Sequence, residues 1–255
     1  KECIYNFREH LLHTGSQPST VNVRIAAIRS YLKYVADTDI SVQSVALAVS
    51  QITPCKKIQK EKEILSEQAL SAILAAPPCT KAGVRDRTIL VLLYDTAVRI
   101  SELLGIRLCD IVLDNPYPSI FITGKGNKER TIQLSEKSFS HLQEYIRVFH
   151  RTSEKDAYLF FTTIKGVTGK MSPGNVQRLI KKYAAQTRNL GFDVPKSVHP
   201  HMFRRTRATN LYQEGIAIEL VSTVLGHART DTTRNYYARP SIGQIRDALE
   251  SVPIP

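Results

Sequence analysis

Long apolar runs are missing from this 255-residue chain. The longest, Ile89 to Tyr94, falls far short of the roughly 20 residues that a membrane helix needs. No signal peptide is visible in the opening Lys-Glu-Cys, so secretion is not expected. Cysteine is scarce. Cys3, Cys55, Cys79 and Cys109 match no zinc-ligand spacing. The chain is also too large to depend on a disulfide framework, so the thiols read as reduced, in a cytoplasmic protein. No internal repeat or low-complexity tract appears in the sequence. Acidic residues are in short supply, 23 against 35 Lys and Arg, a net charge of +12. That surplus favours a polyanionic partner, because Lys and Arg displace counterions condensed on phosphates. An anionic membrane surface fits less well without a basic amphipathic anchor.

What is present is mostly helical. Residues 1–55 read as a helical domain. Val21, Ile25, Ile28, Leu32 and Val35 fall on one stripe at helical spacing. Asn22, Arg29 and Lys33 lie roughly 80–120° around from it. This gives one packing face and one basic face able to meet DNA, although a solvated surface face has the same pattern. Ser19 or Thr20 is the expected helix cap. The charged stretch 56–65 reads as a linker. A larger domain, 66–255, follows. Helical patterns are expected near 66–76, 84–97, 100–107, 135–150, 173–189, 201–213, 216–225 and 231–250. Ser172-Pro173 is a strong helix start. Two β-prone segments, 119–123 and 130–134, flank the glycine-containing turn Gly124 to Glu129, a hairpin signal. The fold class is therefore mainly α with a small antiparallel β-sheet (α+β), in two domains.

Four segments place cationic or titratable side chains at junctions of this pattern. They are Thr96 to Leu103 with Arg99, the turn with Lys125 and Lys128, His199 to Arg207, and Leu225-Gly-His227 followed by Tyr236-Tyr237. Singly, each has an ordinary structural reading: a surface arginine, a solvated turn lysine, a packed histidine or tyrosine. His201 and Arg204 are three residues apart and share one helix face. An imidazole and a guanidinium so placed can address one phosphate, and the planar fork of arginine matches two of its oxygens.

Taken in order, the set resembles the tyrosine recombinase (phage integrase) family, which includes bacterial chromosome-dimer-resolving recombinases and transposon integrases. Thr96 to Leu103 is similar to the family's Thr-Gly-Leu-Arg-x-Ser-Glu-Leu. Gly124 to Arg130 is similar to its Gly-Lys-Gly-Asn-Lys-Glu-Arg hairpin. His201 and Arg204 match His-x-x-Arg, Leu225 to His227 match Leu-Gly-His, and Tyr236 follows Thr232-Thr233 in the expected register. Tyr237 is the alternative nucleophile. The chain departs from the family pattern at Ala97, where glycine is usual, and at Val98. Arg205 and Arg207 add two cations after His-x-x-Arg, suited either to DNA or to acids in the core. The first helix pair of the core-binding domain is expected to be missing, a shortening that would also account for the lack of an initiating Met.

The resemblance implies a helical core-binding domain and a catalytic domain that clamp duplex DNA at specific sites. It implies cleavage and rejoining through a 3′-phosphotyrosine, with catalytic residues Arg99, Lys125, His201, Arg204, His227 and Tyr236. Glu102 is a candidate for orienting Arg99. Asn22, Arg29, Lys33, Lys128 and Arg205 are the candidate DNA contacts. No metal or cofactor is expected, because the cations supply charge stabilisation. Four protomers on two DNA sites are implied, with segment 241–249 packing on a neighbour or on its own domain. The rival readings are a type IB topoisomerase, a non-catalytic DNA-binding relative, and a metalloenzyme built on His199, His201 and His227.

Overall fold

The computed structural model describes residues 2–56, 63–113, 116–124 and 129–226. The chain divides into two compact units, residues 1–62 and 63–255. Among the described residues there are ten α-helices and five short strands, numbered in chain order, and no helix is long and apolar enough to cross a membrane.

The first unit contains α1 (Glu2–His13), α2 (Pro18–Ala36) and α3 (Gln43–Ser50). Its helix stripe packs as the periodicity predicts: Val21 and Ile25 are buried against Leu11, with Ile28 partly covered. The start of α2 lies earlier than its expected cap. Gln17 occupies the N-cap and Pro18 the first turn, where a missing N–H costs nothing and the fixed φ suits the helix.

The second unit is built around α5 (Lys81–Asp95), whose Ile89, Leu90, Leu92 and Leu93 are fully buried. Around it pack α4 (Glu67–Ala75), α7 (Glu136–Phe149), α8 (Pro173–Asn189) and α9 (Pro200–Gln213). The side-chain oxygens of Ser66, Thr80, Ser135 and Ser172 each accept a backbone N–H at the start of one of these helices, satisfying donors the helix cannot pair itself. Gly83 sits so close to the preceding loop that a methyl there would lie 1.8 Å from the Pro78 carbonyl oxygen. The short α6 (Ile100–Gly105) follows α5 after a sharp turn, and α10 (Ile218–Leu225) lies against α9.

The expected hairpin is present: β2 (Ser119–Thr123) pairs antiparallel with β3 (Glu129–Gln133), and β1 (Ile111–Val112) adds to the other edge of β2. A second hairpin, β4 (Phe161–Ile164) with β5 (Val167–Lys170), is an element the pattern reading passed over. Its turn residues Lys165 and Gly166 both have positive φ, as a two-residue hairpin turn requires. The helix expected near 231–250 lies outside the described residues.

Candidate active site

The site grows from the turn between α5 and α6. Thr96 closes α5 and Ala97 follows with φ +50. This left-handed backbone costs a residue bearing a Cβ roughly 1–2 kcal/mol, which explains why glycine is usual at this position in the resembling phrase. Here the methyl is fully buried against Ala208, Val221 and Leu225, and that packing offsets part of the cost. The turn delivers Arg99 to the N-cap of α6, three residues before Glu102.

Glu102 is a buried carboxylate that gathers donors. Its Oε2 accepts the Arg99 backbone N–H at 2.9 Å, and its Oε1 accepts Arg99 Nη1 at 2.7 Å. Arg130 Nη2, from β3, donates to Oε2 at 2.9 Å. Burial alone would push the Glu102 pKa up. The Arg130 bond, the two Arg99 bonds and the Arg130 charge outweigh it and hold the pKa below the ordinary carboxylate value. Glu102 is therefore ionised at neutral pH, with Arg99 held from both backbone and side chain, as the expectation for Glu102 required.

His199 occupies the N-cap position of α9 and Pro200 its first turn. Arg204 is almost fully buried. Its Nη1 donates to the Ala97 carbonyl and its Nη2 to the Leu225 carbonyl, each at 2.6 Å. One guanidinium thus joins the turn before Arg99 to the turn before His227. His201, one helical step away, is exposed. Its pKa is lowered, first by partial burial and then by the charges of Arg204, Arg205 and Arg99. The neighbouring cations disfavour its protonated form. An imidazole so shifted is neutral at pH 7 and able to accept a proton. His199 is shifted the same way, by burial, Arg205 and His201.

The structure therefore anchors Arg99 on Glu102 and Arg204 on the carbonyl of Ala97, two residues before Arg99, with His201 three residues before Arg204 on α9. Lys125, Lys128, His227, Tyr236 and Tyr237 lie outside the described residues. Arg205 donates Nη1 to the Glu63 carbonyl at 2.8 Å, and Arg207 pairs with Asp95 at 3.1 Å while lying over the Tyr94 ring. Of the two uses open to these extra cations, Arg207 takes the core acid. In the first unit the proposed basic face divides. Asn22 exchanges two hydrogen bonds with the backbone of Cys55, and Arg29 donates to the carbonyls of Val49 and Ile52. Both tie α2 to the chain that follows it, because a long polar side chain beside an apolar stripe can satisfy backbone carbonyls that helix termini leave open. Lys33 remains exposed. Arg130 is the site residue that the sequence reading passed over. It lies two residues before buried Ile132 on β3, so strand alternation turns it toward the interior, a signal that was available.

Residues 63–241 match the phage integrase family. Tyrosine recombinase XerD of Staphylococcus haemolyticus is 30% identical over 249 residues, covering 96% of this chain and 79% of the relative. Tyrosine recombinase XerA of Pyrococcus furiosus is 29% identical over 244 residues, covering 96% and 78%. Among solved structures, the Tn1549 transposon integrase in complex with transposon right end DNA superposes with a TM-score of 0.72 at 20% identity, covering 98% of this chain and 84% of that one; the likeness is one of fold. These matches show that the chain belongs to the phage integrase family and is a tyrosine recombinase, an enzyme of site-specific DNA recombination.

Proposed function

We propose that the chain cuts and rejoins duplex DNA at specific sites through a 3′-phosphotyrosine on Tyr236, in the integration and excision of a mobile element. The observation that supports this reading is that Glu102 holds Arg99 while Arg204, three residues after His201 on α9, donates to the Ala97 and Leu225 carbonyls on either side. Two guanidiniums stay charged at any physiological pH and match phosphate geometry. Fixed before the reaction, they stabilise the extra charge of a pentacovalent phosphorus without reorganising.

The Tyr236 oxygen attacks phosphorus as the P–O5′ bond breaks. His201, held neutral, takes the phenolic proton. Lys125 gives a proton to the departing 5′-oxygen, and His227 donates a hydrogen bond to the phosphate. The phosphodiester energy is kept in the tyrosyl ester. A 5′-hydroxyl of a second strand then attacks phosphorus, and tyrosine leaves and recovers its proton.

The partner is double-stranded DNA, a reading supported by the net charge of +12. Four protomers act on two sites, with the C-terminal segment exchanged between neighbours, in the cytoplasm. Lys33, Lys128 and Arg205 supply DNA contacts, whereas Asn22 and Arg29 act through the backbone they hold.

The test is a nicked duplex built on a sequence that the full chain selects from a random duplex pool. The nick lets the short cleaved strand diffuse away and traps the adduct. A covalent protein–DNA adduct is expected from the wild type and from Tyr237→Phe, and none from Tyr236→Phe. DNA binding with no adduct would leave a non-catalytic DNA-binding protein. Relaxation of supercoils without site dependence would indicate a topoisomerase.

A further inference from the structure

We propose that Arg130 is a positioning residue of the reaction, an interlock that holds the Arg99 turn against the turn preceding His227. The inference rests on the recombinase reading above and goes beyond it, because Arg130 is asked to touch no substrate.

Two observations support it. First, Arg130 Nη2 donates to the same Glu102 oxygen that receives the Arg99 backbone N–H. The carboxylate is shared between the helix start that carries Arg99 and the strand that leaves the Lys125 hairpin. Second, the guanidinium lies flat against Gly226. A methyl built on that glycine would lie 2.7 Å from Nη1, 2.8 Å from Cζ and 3.0 Å from Nε. Gly226 ends α10 with φ +62 and ψ 44, so glycine is favoured there twice, by backbone and by the arginine pressed against it.

Together with Arg204, Arg130 closes a ring. Arg204 joins Ala97 to Leu225 by hydrogen bonds, and Arg130 joins Glu102 to Gly226 by an ion pair and a contact surface. The two links meet at adjacent residues on one side, Leu225 and Gly226, and on the other at Ala97 in the turn and Glu102 in the helix that follows it. Arg204 also belongs to the chemistry. Arg130 acts through Glu102 and Gly226 and fixes how the start of α6, with Arg99, sits against the end of α10.

The test measures single-turnover cleavage of the selected nicked duplex at saturating DNA, together with DNA Kd and Tm, for the full chain. Arg130→Ala is expected to lower the cleavage rate by about tenfold or more, as sub-ångström misplacement does, with Kd changed less than about twofold. Arg130→Lys keeps the charge but loses the fork and is expected not to restore the rate. Gly226→Ala alone lowers cleavage, but in the Arg130→Ala background it costs less, since the clash has been removed. If Arg130→Ala does not fold by its Tm, Arg130→Gln and Gly226→Ala take its place in the same comparison. Wild-type cleavage by the Arg130 variants, full rescue by lysine, a loss confined to Kd, or losses that multiply in the double variant would overturn the interlock. Absence of an adduct from the wild type would instead overturn the recombinase reading.

Discussion

Glu102 and His201 respond to their surroundings in ways that set the ionisation of the site. Its arginine partners hold the Glu102 pKa below the ordinary carboxylate value. A carboxylate shifted down contributes stability that is complete above its ordinary range and is lost as pH falls through the native value. Urea unfolding at pH 7 and near pH 3 should therefore show a larger acid loss in the wild type than in Glu102→Gln. An equal loss would contradict the ion pairs with Arg99 and Arg130. His201 is shifted down as well, by burial and three arginines. It is neutral in the native protein, and stability on its account falls as pH drops below the ordinary histidine value of about 6.5. Titration of the free protein by NMR should place its midpoint below that value. A midpoint above it would remove His201 as a proton acceptor at neutral pH.

Elements with strong local periodicity were legible before the structure, and contacts between distant elements were not. Helices α4 to α10, the β2–β3 hairpin and the shared face of His201 and Arg204 follow from spacing and caps alone. The links that position the site join residues far apart, Glu102 to Arg130 and Arg204 to Ala97 and Leu225, and no pattern in a single sequence records such a pairing. The backbone bonds of Asn22 and Arg29 were not legible for the same reason: their carbonyl partners lie between Val49 and Cys55. Hairpin β4–β5 carried a readable signal in β-branched residues around Lys165-Gly166, overlooked beside the longer helices. At the start of α5, close approach to the loop makes a firm prediction. Gly83→Ala drives a methyl into the Pro78 carbonyl and should cost about 2 kcal/mol or more. At this chain size that is a Tm lower by roughly 4–8 °C. An unchanged Tm would mean that the loop yields without cost.

For the whole molecule, charge and chemistry make separate demands. A net charge of +12 predicts DNA affinity that falls steeply with salt, with a log–log slope of about −0.9 per phosphate neutralised. Lys33→Ala should make that slope shallower by about 1. Arg29→Ala should leave it nearly unchanged and speed hydrogen exchange of α2 and α3, since the carbonyls of Val49 and Ile52 lose their donor. The reverse pattern would restore Arg29 as a DNA contact. Chemistry depends instead on a single oxygen. The most direct measurement is proteolysis of the trapped covalent complex and mass mapping of the DNA-bearing peptide. The account predicts a 3′-phosphate linked to Tyr236. A linkage to Tyr237, a 5′-phosphate linkage, or an adduct on any residue other than tyrosine would contradict it.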